Sequence, residues 1–204
     1  MDARTLPLLS RRSLLAGAAA TLGVAAVPQG AFALDLASAR ALIDSAIGDV
    51  NAIISSGQPE AAMLASFEKL FARYADVTAI ARSALGPAAR SASKSEMAAF
   101  IKAFQGYIAR KYGRRFREFI GGKIEVTDAR PIKSYFEVIS VAYLQGESPF
   151  DVRWHVGNKS GKNLFFNIII EGVNMLASER AEVGALLDRR GGSIPALVED
   201  LKKV

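Results

Sequence analysis

Along this chain the spacing of apolar residues changes from a helical period to a strand period and back again. Between residues 36 and 119 apolar side chains recur every three or four positions, which predicts four amphipathic helices. From residue 124 to residue 170 the period is two, in four β-rich runs separated by turn-rich connectors. After Gly172 the helical period returns. This order predicts an α+β domain, with helices packed on one face of an antiparallel four-stranded sheet.

The starts of two helices are marked by side chains that can satisfy free backbone N–H groups. Ser93-Lys94-Ser95-Glu96 is a capping box, in which the serine and glutamate side chains each accept a hydrogen bond from the other residue's backbone. It predicts the start of a long helix that ends at Gly121-Gly122. The predicted inner face of that helix is Ile101, Ile108, Tyr112, Phe116 and Phe119. Asp76 is predicted to cap the shorter helix before it.

The third β-rich run alternates without interruption. Its apolar residues are Phe150, Val152, Trp154 and Val156, and the residues between them are Asp151, Arg153 and His155. Successive side chains of a strand point to opposite faces, so one face of the sheet is predicted to be apolar and the other to meet water. His155 is accordingly expected to be an ordinary surface residue.

Several kinds of chemistry are excluded by composition. The sequence has no cysteine and only one histidine, so disulfides, thiol catalysis, zinc–thiolate sites and histidine-cluster metal sites are ruled out. It contains no nucleophile elbow and no phosphate-cradling loop. We therefore expect no catalytic residue, no metal and no cofactor.

The first 33 residues have the layout of a signal peptide. Arg11 and Arg12 precede the uncharged stretch Leu14–Val27, Pro28 follows it, and Ala31-Phe32-Ala33 has the small-x-small pattern of a cleavage site. Paired arginines favour the Tat export route over the general secretory route. Residues 1–33 are therefore predicted to be removed, which leaves residues 34–204 as one domain.

Two alternatives concern this segment and the charge. An uncleaved N-terminal anchor is the rival interpretation, although 14 uncharged residues are few for a membrane span of about 20. Removing residues 1–33 takes away three arginines and one aspartate, so the net charge falls from +6 to +4. A mild positive charge permits transient contact with anionic membranes and does not indicate nucleic-acid binding.

The order and spacing of several short stretches resemble the toluene-tolerance, MlaC-like family. The matching residues are Tyr74-Ala75-Asp76, Ile80-Ala81-Arg82, Leu85-Gly86, Phe100, Phe104, Tyr107, Tyr112, Glu171-Gly172-Val173-Asn174-Met175, Arg180, Leu186 and Gly191. The resemblance covers roughly residues 36–203. The family usually has Trp-x-x-x-Asp in its last strand, where this chain has Asn163 and Asn167, and a serine where it has Asn174.

The resemblance implies a function in lipid transport. Such proteins are periplasmic and hold a phospholipid in an apolar cavity between sheet and helices. They pass it between an outer-membrane lipoprotein complex and an inner-membrane ABC transporter that carries an MCE-domain ring, and so maintain outer-membrane lipid asymmetry. By this resemblance, the side chains expected to line the cavity are Phe67, Phe71, Phe104, Tyr107, Phe150, Val152, Trp154, Ile168, Ile170 and Val173.

Four alternatives stay open on the sequence. The ligand could be a hopanoid or another hydrophobic small molecule, because relatives occur beside hopanoid-synthesis genes. The same apolar residues could fill a solid core, since apolar faces are usually packed. Asp151 or Glu137 could act as a general base in an isomerase-like pocket. Finally, Arg110, Arg114 and Arg117 share one helical face, which could dock on anionic headgroups or simply be solvated.

Overall fold

The computed structural model describes residues 35–114 and 121–203, which form helices around one antiparallel sheet. The elements are α1 (Leu36–Ser55), α2 (Glu60–Tyr74), α3 (Val77–Leu85), a 3₁₀ helix (Gly86–Arg90), α4 (Lys94–Gly113), β1 (Lys123–Ile132), β2 (Tyr135–Tyr143), β3 (Phe150–Gly157), β4 (Leu164–Ile170), β5 (Val173–Asn174), α5 (Met175–Arg189) and α6 (Ile194–Leu201). The α+β prediction is confirmed. The signal peptide and the expected inner-face residues Phe116 and Phe119 lie outside the described residues.

The predicted helix caps are formed. The Ser93 hydroxyl accepts from the Glu96 N–H at 3.2 Å, and the Glu96 carboxylate accepts from the Ser93 N–H at 2.9 Å. The Asp76 carboxylate accepts from the N–H of Ala79 at 2.9 Å. Each cap satisfies a backbone donor that the helix itself leaves free, so these helix starts are set by local sequence.

The buried side of α4 agrees only in part with the predicted one, in which Ile108 is buried as expected. Phe100, Phe104 and Tyr107 are fully buried, whereas Ile101 and Tyr112 are only partly buried. The three buried rings follow one another along the helix, with centroids 5.7 Å and 6.0 Å apart. α4 packs against α2, α3 and α6, so it buries a broad arc, and periodicity alone does not show which part of that arc faces the core.

The sheet has strand order β1-β2-β3-β4-β5, one more strand than the four predicted. The register places Val126, Ser140, Val152, Ile170 and Val173 side by side, one from each strand. This face, called the inner face below, also carries Val138 and Trp154 and packs against α1. The one polar group in the row is satisfied, since the Ser140 hydroxyl accepts from Trp154 Nε1 at 2.9 Å and donates to the Val152 carbonyl at 3.0 Å.

The stretch Tyr74–Asp76 ties the helices to β4. The Tyr74 hydroxyl donates to Asp49 on α1 at 2.7 Å, and the Asp76 N–H donates to the Phe165 carbonyl at 2.8 Å. Ala75 forms a single parallel bridge with Phe165, next to the point where the register of β3 and β4 shifts. The connection between α2 and α3 is therefore held from both sides.

The second face of the sheet is less exposed to solvent than predicted. Arg130, Glu137, His155 and Asn167 form a row across four strands, and Glu137 and Asn167 are buried. The expectation that His155 is a surface residue is wrong, because its side chain is only 13% exposed. The rings of Tyr135 and Phe166 lie 4.7 Å and 5.8 Å from the imidazole and shield it from water.

None of the helices in the described ranges is long and apolar enough to cross a bilayer.

Candidate functional site

Most of the ten side chains predicted to line a cavity meet in the main core. Phe104, Tyr107, Val152 and Trp154 are buried there, and Phe71, Phe150, Ile168 and Ile170 are partly buried against it. Phe67 lies instead in a smaller cluster with Val50 of α1 and Met63 of α2. Val173 is 54% exposed.

The inner face is incompletely covered at one end of the sheet. Val173 is one of two large apolar residues that are exposed in residues 35–114 and 121–203. It sits beside Ile170 on the inner face, and Ile168 and Phe150 nearby are only partly buried. We call these four residues the exposed end of the inner face. At this end, exposed apolar surface is continuous with the core.

A tight turn positions Val173. Glu171 and Gly172 have φ angles of +49° and +80°, and they join the paired residues Ile170 and Val173 of β4 and β5. Two successive residues with positive φ form the hairpin turn that matches the twist of adjacent strands. The positive φ is costly for Glu171 and free for Gly172. The strained Glu171 backbone donates its N–H to the Asp151 carbonyl at 3.1 Å, which helps to hold the turn.

Two cavities lie elsewhere. One, of about 290 Å³, is a groove between α1 and α2 lined by Asp49, Ile53, Lys69, Leu70 and Arg73, among others. The other, of about 260 Å³, lies between α3 and the sheet, beside Tyr135 and Phe166. Neither is lined by any of the ten predicted residues. Eight of the ten belong to the main core, so a ligand among those eight would take the place of side-chain contacts.

A polar cluster between α4 and α5 was not predicted. Lys111 Nζ donates to Tyr107 Oη at 2.9 Å, to Glu179 Oε1 at 2.7 Å and to Glu182 Oε2 at 2.5 Å. The Tyr107 hydroxyl donates to Glu182 Oε1 at 2.7 Å, and the Tyr112 hydroxyl donates to Glu179 Oε1. We call these five residues the α4–α5 polar cluster. In the structure the buried stripe of α5 is Glu179, Val183 and Leu187. The helical spacing of a glutamate with two apolar residues is a signal for the cluster in the sequence.

The cluster changes the expected roles of two side chains. Tyr107 was predicted to line an apolar cavity, but its hydroxyl is bound to Glu182, and burial followed by that hydrogen bond raises its pKa. Burial lowers the pKa of Lys111, but its hydrogen bonds to Glu179 and Glu182 outweigh this and raise the pKa overall. Lys111 is therefore a fixed positive charge at neutral pH.

Part of the predicted basic face is also used internally. Arg110 donates from Nη2 to the Leu201 carbonyl of α6 at 2.6 Å, and its neighbour in the chain, Lys111, belongs to the polar cluster. Arg117 lies outside the described residues. These contacts give Arg110 a role in joining α4 to α6.

The carboxylates considered for catalysis do not face the inner surface. Asp151 is exposed and paired with Arg153 at 3.4 Å, and Glu137 is held on the second face by Arg130 at 2.5 Å. In the ranges that the structure describes, no three histidine or carboxylate side chains gather as metal ligands. The inner face therefore carries neither of the two carboxylates considered for catalysis.

We expect the single histidine to titrate below its ordinary pKa of 6.5. Burial lowers the pKa of His155 and outweighs the opposing effect of Glu137. Because the unfolded chain binds this proton more readily, the imidazole contributes stability above about pH 6.5 that is lost as the pH falls towards the folded pKa. An NMR titration of the single imidazole gives the pKa directly. Urea unfolding at pH 7 and pH 5 should show a steeper loss for the native chain than for His155→Gln, and an imidazole midpoint above 6.5 would contradict the expectation.

The family follows from a match over most of the chain. The family model described as "MlaC protein" matches residues 44–203. The chain belongs to the MlaC family. The resemblance seen in the sequence is thereby confirmed.

A solved structure with the same fold comes from Ralstonia solanacearum. It is a phospholipid-binding protein determined in complex with a phospholipid, and it matches with a TM-score of 0.68 at 20% sequence identity. The match covers 81% of this chain and 95% of that one. At this identity the comparison establishes a shared fold.

The three residues that depart from the usual MlaC pattern have structural roles in this chain. Asn174 caps α5 by accepting from the Ala177 N–H at 3.1 Å, as a serine would. Asn167 accepts from the Leu176 N–H at 3.1 Å and lies 3.4 Å from His155 Nδ1. Asn163 donates to the Ser38 hydroxyl at 3.4 Å and so links β4 to the start of α1.

Proposed function

We propose that this MlaC-family protein is a phospholipid carrier that holds acyl chains between the inner face of its sheet and the helices. The observation that carries the proposal is the family match over residues 44–203, together with the exposed end of the inner face. The phospholipid bound to the Ralstonia protein of the same fold supports the ligand class. The ten predicted lining residues are retained as the proposed contact surface.

The physical chemistry of the inner face suits acyl chains. Each buried CH₂ contributes about 0.8 kcal/mol, so a chain of about 16 carbons costs on the order of 10 kcal/mol to leave in water. A lipid that enters at Val173 would exchange side-chain contacts for contacts of the same apolar kind. Such an exchange with a membrane is nearly thermoneutral and needs no catalytic residue, so we propose that the protein is not an enzyme.

The proposed location is the periplasm, after removal of residues 1–33. We propose that the carrier passes lipid between an outer-membrane lipoprotein complex and an inner-membrane ABC transporter with an MCE-domain ring, and so maintains lipid asymmetry. Family membership supports this assignment. Contact with either membrane would be transient.

Organic extraction of the purified protein followed by mass spectrometry tests the ligand. We expect close to one equivalent of diacyl phospholipid per chain. A polycyclic lipid in its place would support the hopanoid alternative. Protein that is reproducibly empty and takes up no lipid from vesicles would contradict carriage.

We expect Arg11→Lys together with Arg12→Lys to hold the precursor in the cytoplasm. The Tat route requires the paired arginines, whereas the general secretory route accepts lysines. Fractionation followed by immunoblotting measures the precursor and the processed chain. Normal export of the double variant would rule out Tat while leaving export itself intact.

A further inference from the structure

The α4–α5 polar cluster has more hydrogen-bond acceptors than donors. An ammonium group has three N–H donors, and Lys111 uses all three on Tyr107, Glu179 and Glu182. The hydroxyls of Tyr107 and Tyr112 are also donated, to Glu182 and Glu179. No donor of the lysine or of either hydroxyl is left over within the cluster.

One acceptor remains without a partner. Glu179 Oε2 is buried and makes no hydrogen bond in the described part of the chain, although Glu179 Oε1 accepts two. Two carboxylates and one ammonium give the cluster a formal net charge of −1. A buried carboxylate oxygen without a donor is rare, because water or a partner normally satisfies it. The five residues of the cluster therefore lack one hydrogen-bond donor and one positive charge, and outside the cluster Arg189 acts on Glu182 closely enough to help lower its pKa.

The cluster runs from solvent to the interior, and two of its residues lie on the helix that follows the proposed lipid entry in the chain. The exposed side-chain fraction falls from 47% at Glu182 to 27% at Lys111 and 3% at Glu179. α5 begins directly after Val173 and Asn174, and Glu179 is about one helical turn from its first residue, Met175. A lipid whose acyl chains enter at Val173 would have its headgroup outside the inner face, near the start of α5.

We propose that the α4–α5 polar cluster binds the ammonium group of an amine-bearing phospholipid headgroup, with Glu179 as the specificity-determining residue. This inference rests on the proposed function, because it assigns the headgroup of the lipid whose chains the inner face holds. A primary ammonium brings both the donor that Glu179 Oε2 lacks and the charge that neutralises the cluster.

Loading from mixed vesicles tests the proposal. Lipid-stripped protein is incubated with vesicles of equal parts phosphatidylethanolamine, phosphatidylcholine and phosphatidylglycerol, and bound lipid is extracted for mass spectrometry. The first lipid has a primary ammonium, the second has the charge without N–H donors, and the third is anionic. We expect about tenfold enrichment of phosphatidylethanolamine over phosphatidylglycerol, the size of one charge-assisted hydrogen bond, with phosphatidylcholine between them.

Variants test whether the lipid preference depends on the cluster. Glu179→Gln removes the charge and presents an amide donor, so it should abolish the enrichment while total loading persists. Glu199→Gln, on an exposed carboxylate of α6, should keep it. If Glu179→Gln fails to fold, Glu182→Gln at the exposed rim should still reduce the enrichment severalfold.

The outcomes are distinguishable. Equal loading of all three lipids by the native protein would overturn the headgroup assignment and leave carriage intact. No loading of any lipid would overturn both. A thermal shift of the native chain by free ethanolamine, lost in Glu179→Gln and unaccompanied by any lipid preference, would show a soluble-amine site and overturn the lipid assignment.

Discussion

Val173→Asp is expected to give a folded, exported protein that copurifies with at least tenfold less lipid. The Val173 side chain is more than half exposed, so a carboxylate there meets water and leaves the packing of the core unchanged. Against an acyl chain the same carboxylate would have to lose its hydration, at a cost of several kcal/mol. Since 1.4 kcal/mol is tenfold in affinity, even part of that cost empties the site. Lipid per chain by mass spectrometry and far-UV circular dichroism are the two measurements.

Neighbouring strand positions supply matched variants for this test. Ile170 and Ile169 are both partly buried, but Ile170 lies beside Val173 on the inner face and Ile169 lies on the second face. Ile170→Asp and Phe150→Asp should lose lipid, whereas Ile169→Asp should keep it. His155→Asp is a poor control, because it would place a second carboxylate close to the buried Glu137. If Val173→Asp, Ile170→Asp and Phe150→Asp all keep their lipid, these residues do not line the lipid site. If they are insoluble, the inner face is a solid core.

Phe104→Ala is expected to lower the free energy of unfolding of lipid-stripped protein by about 3–5 kcal/mol. The Phe104 ring is fully buried and lies between the rings of Phe100 and Tyr107, so its removal leaves a cavity in the core. Lipid stabilises the folded native chain and the folded variant equally by mass action unless it fills the space that the substitution leaves. If an acyl chain contacts Phe104, the loss in loaded protein should therefore be smaller than the loss in stripped protein. Urea unfolding of stripped and loaded protein measures both effects.

An exposed position calibrates the Phe104 measurement. Leu36→Ala, at a residue that is 40% exposed, should change the free energy of unfolding by no more than about 0.5 kcal/mol. A loss below about 1 kcal/mol for Phe104→Ala would show that the core collapses to fill the space. Equal losses with and without lipid would place Phe104 away from the ligand.

Local sequence was enough to predict two helix starts and the two faces of β3. The capping box at Ser93 and the Asp76 cap act over three residues, and both helices begin where they were expected. The alternation through Trp154 sets the faces of β3, because strand side chains alternate regardless of what covers them. The two-residue β5 was missed, since a strand so short has no period of its own.

Tertiary contacts decided what surrounds Glu179 and His155. Glu179 shares a helical spacing with Val183 and Leu187, but only the fold brings Lys111 to it from 68 residues away. The burial of His155 likewise depends on Tyr135 and Phe166, which reach it from neighbouring strands. Periodicity shows which side of a helix or strand is apolar. Packing, hydrogen bonding and pKa shifts depend on which residues the fold places against that side. The sequence by itself therefore determined the α+β order, the helix caps and the family resemblance. The tertiary structure alone decided the packed inner face, the exposed Val173 and the buried polar cluster, because each depends on contacts between residues far apart in the chain.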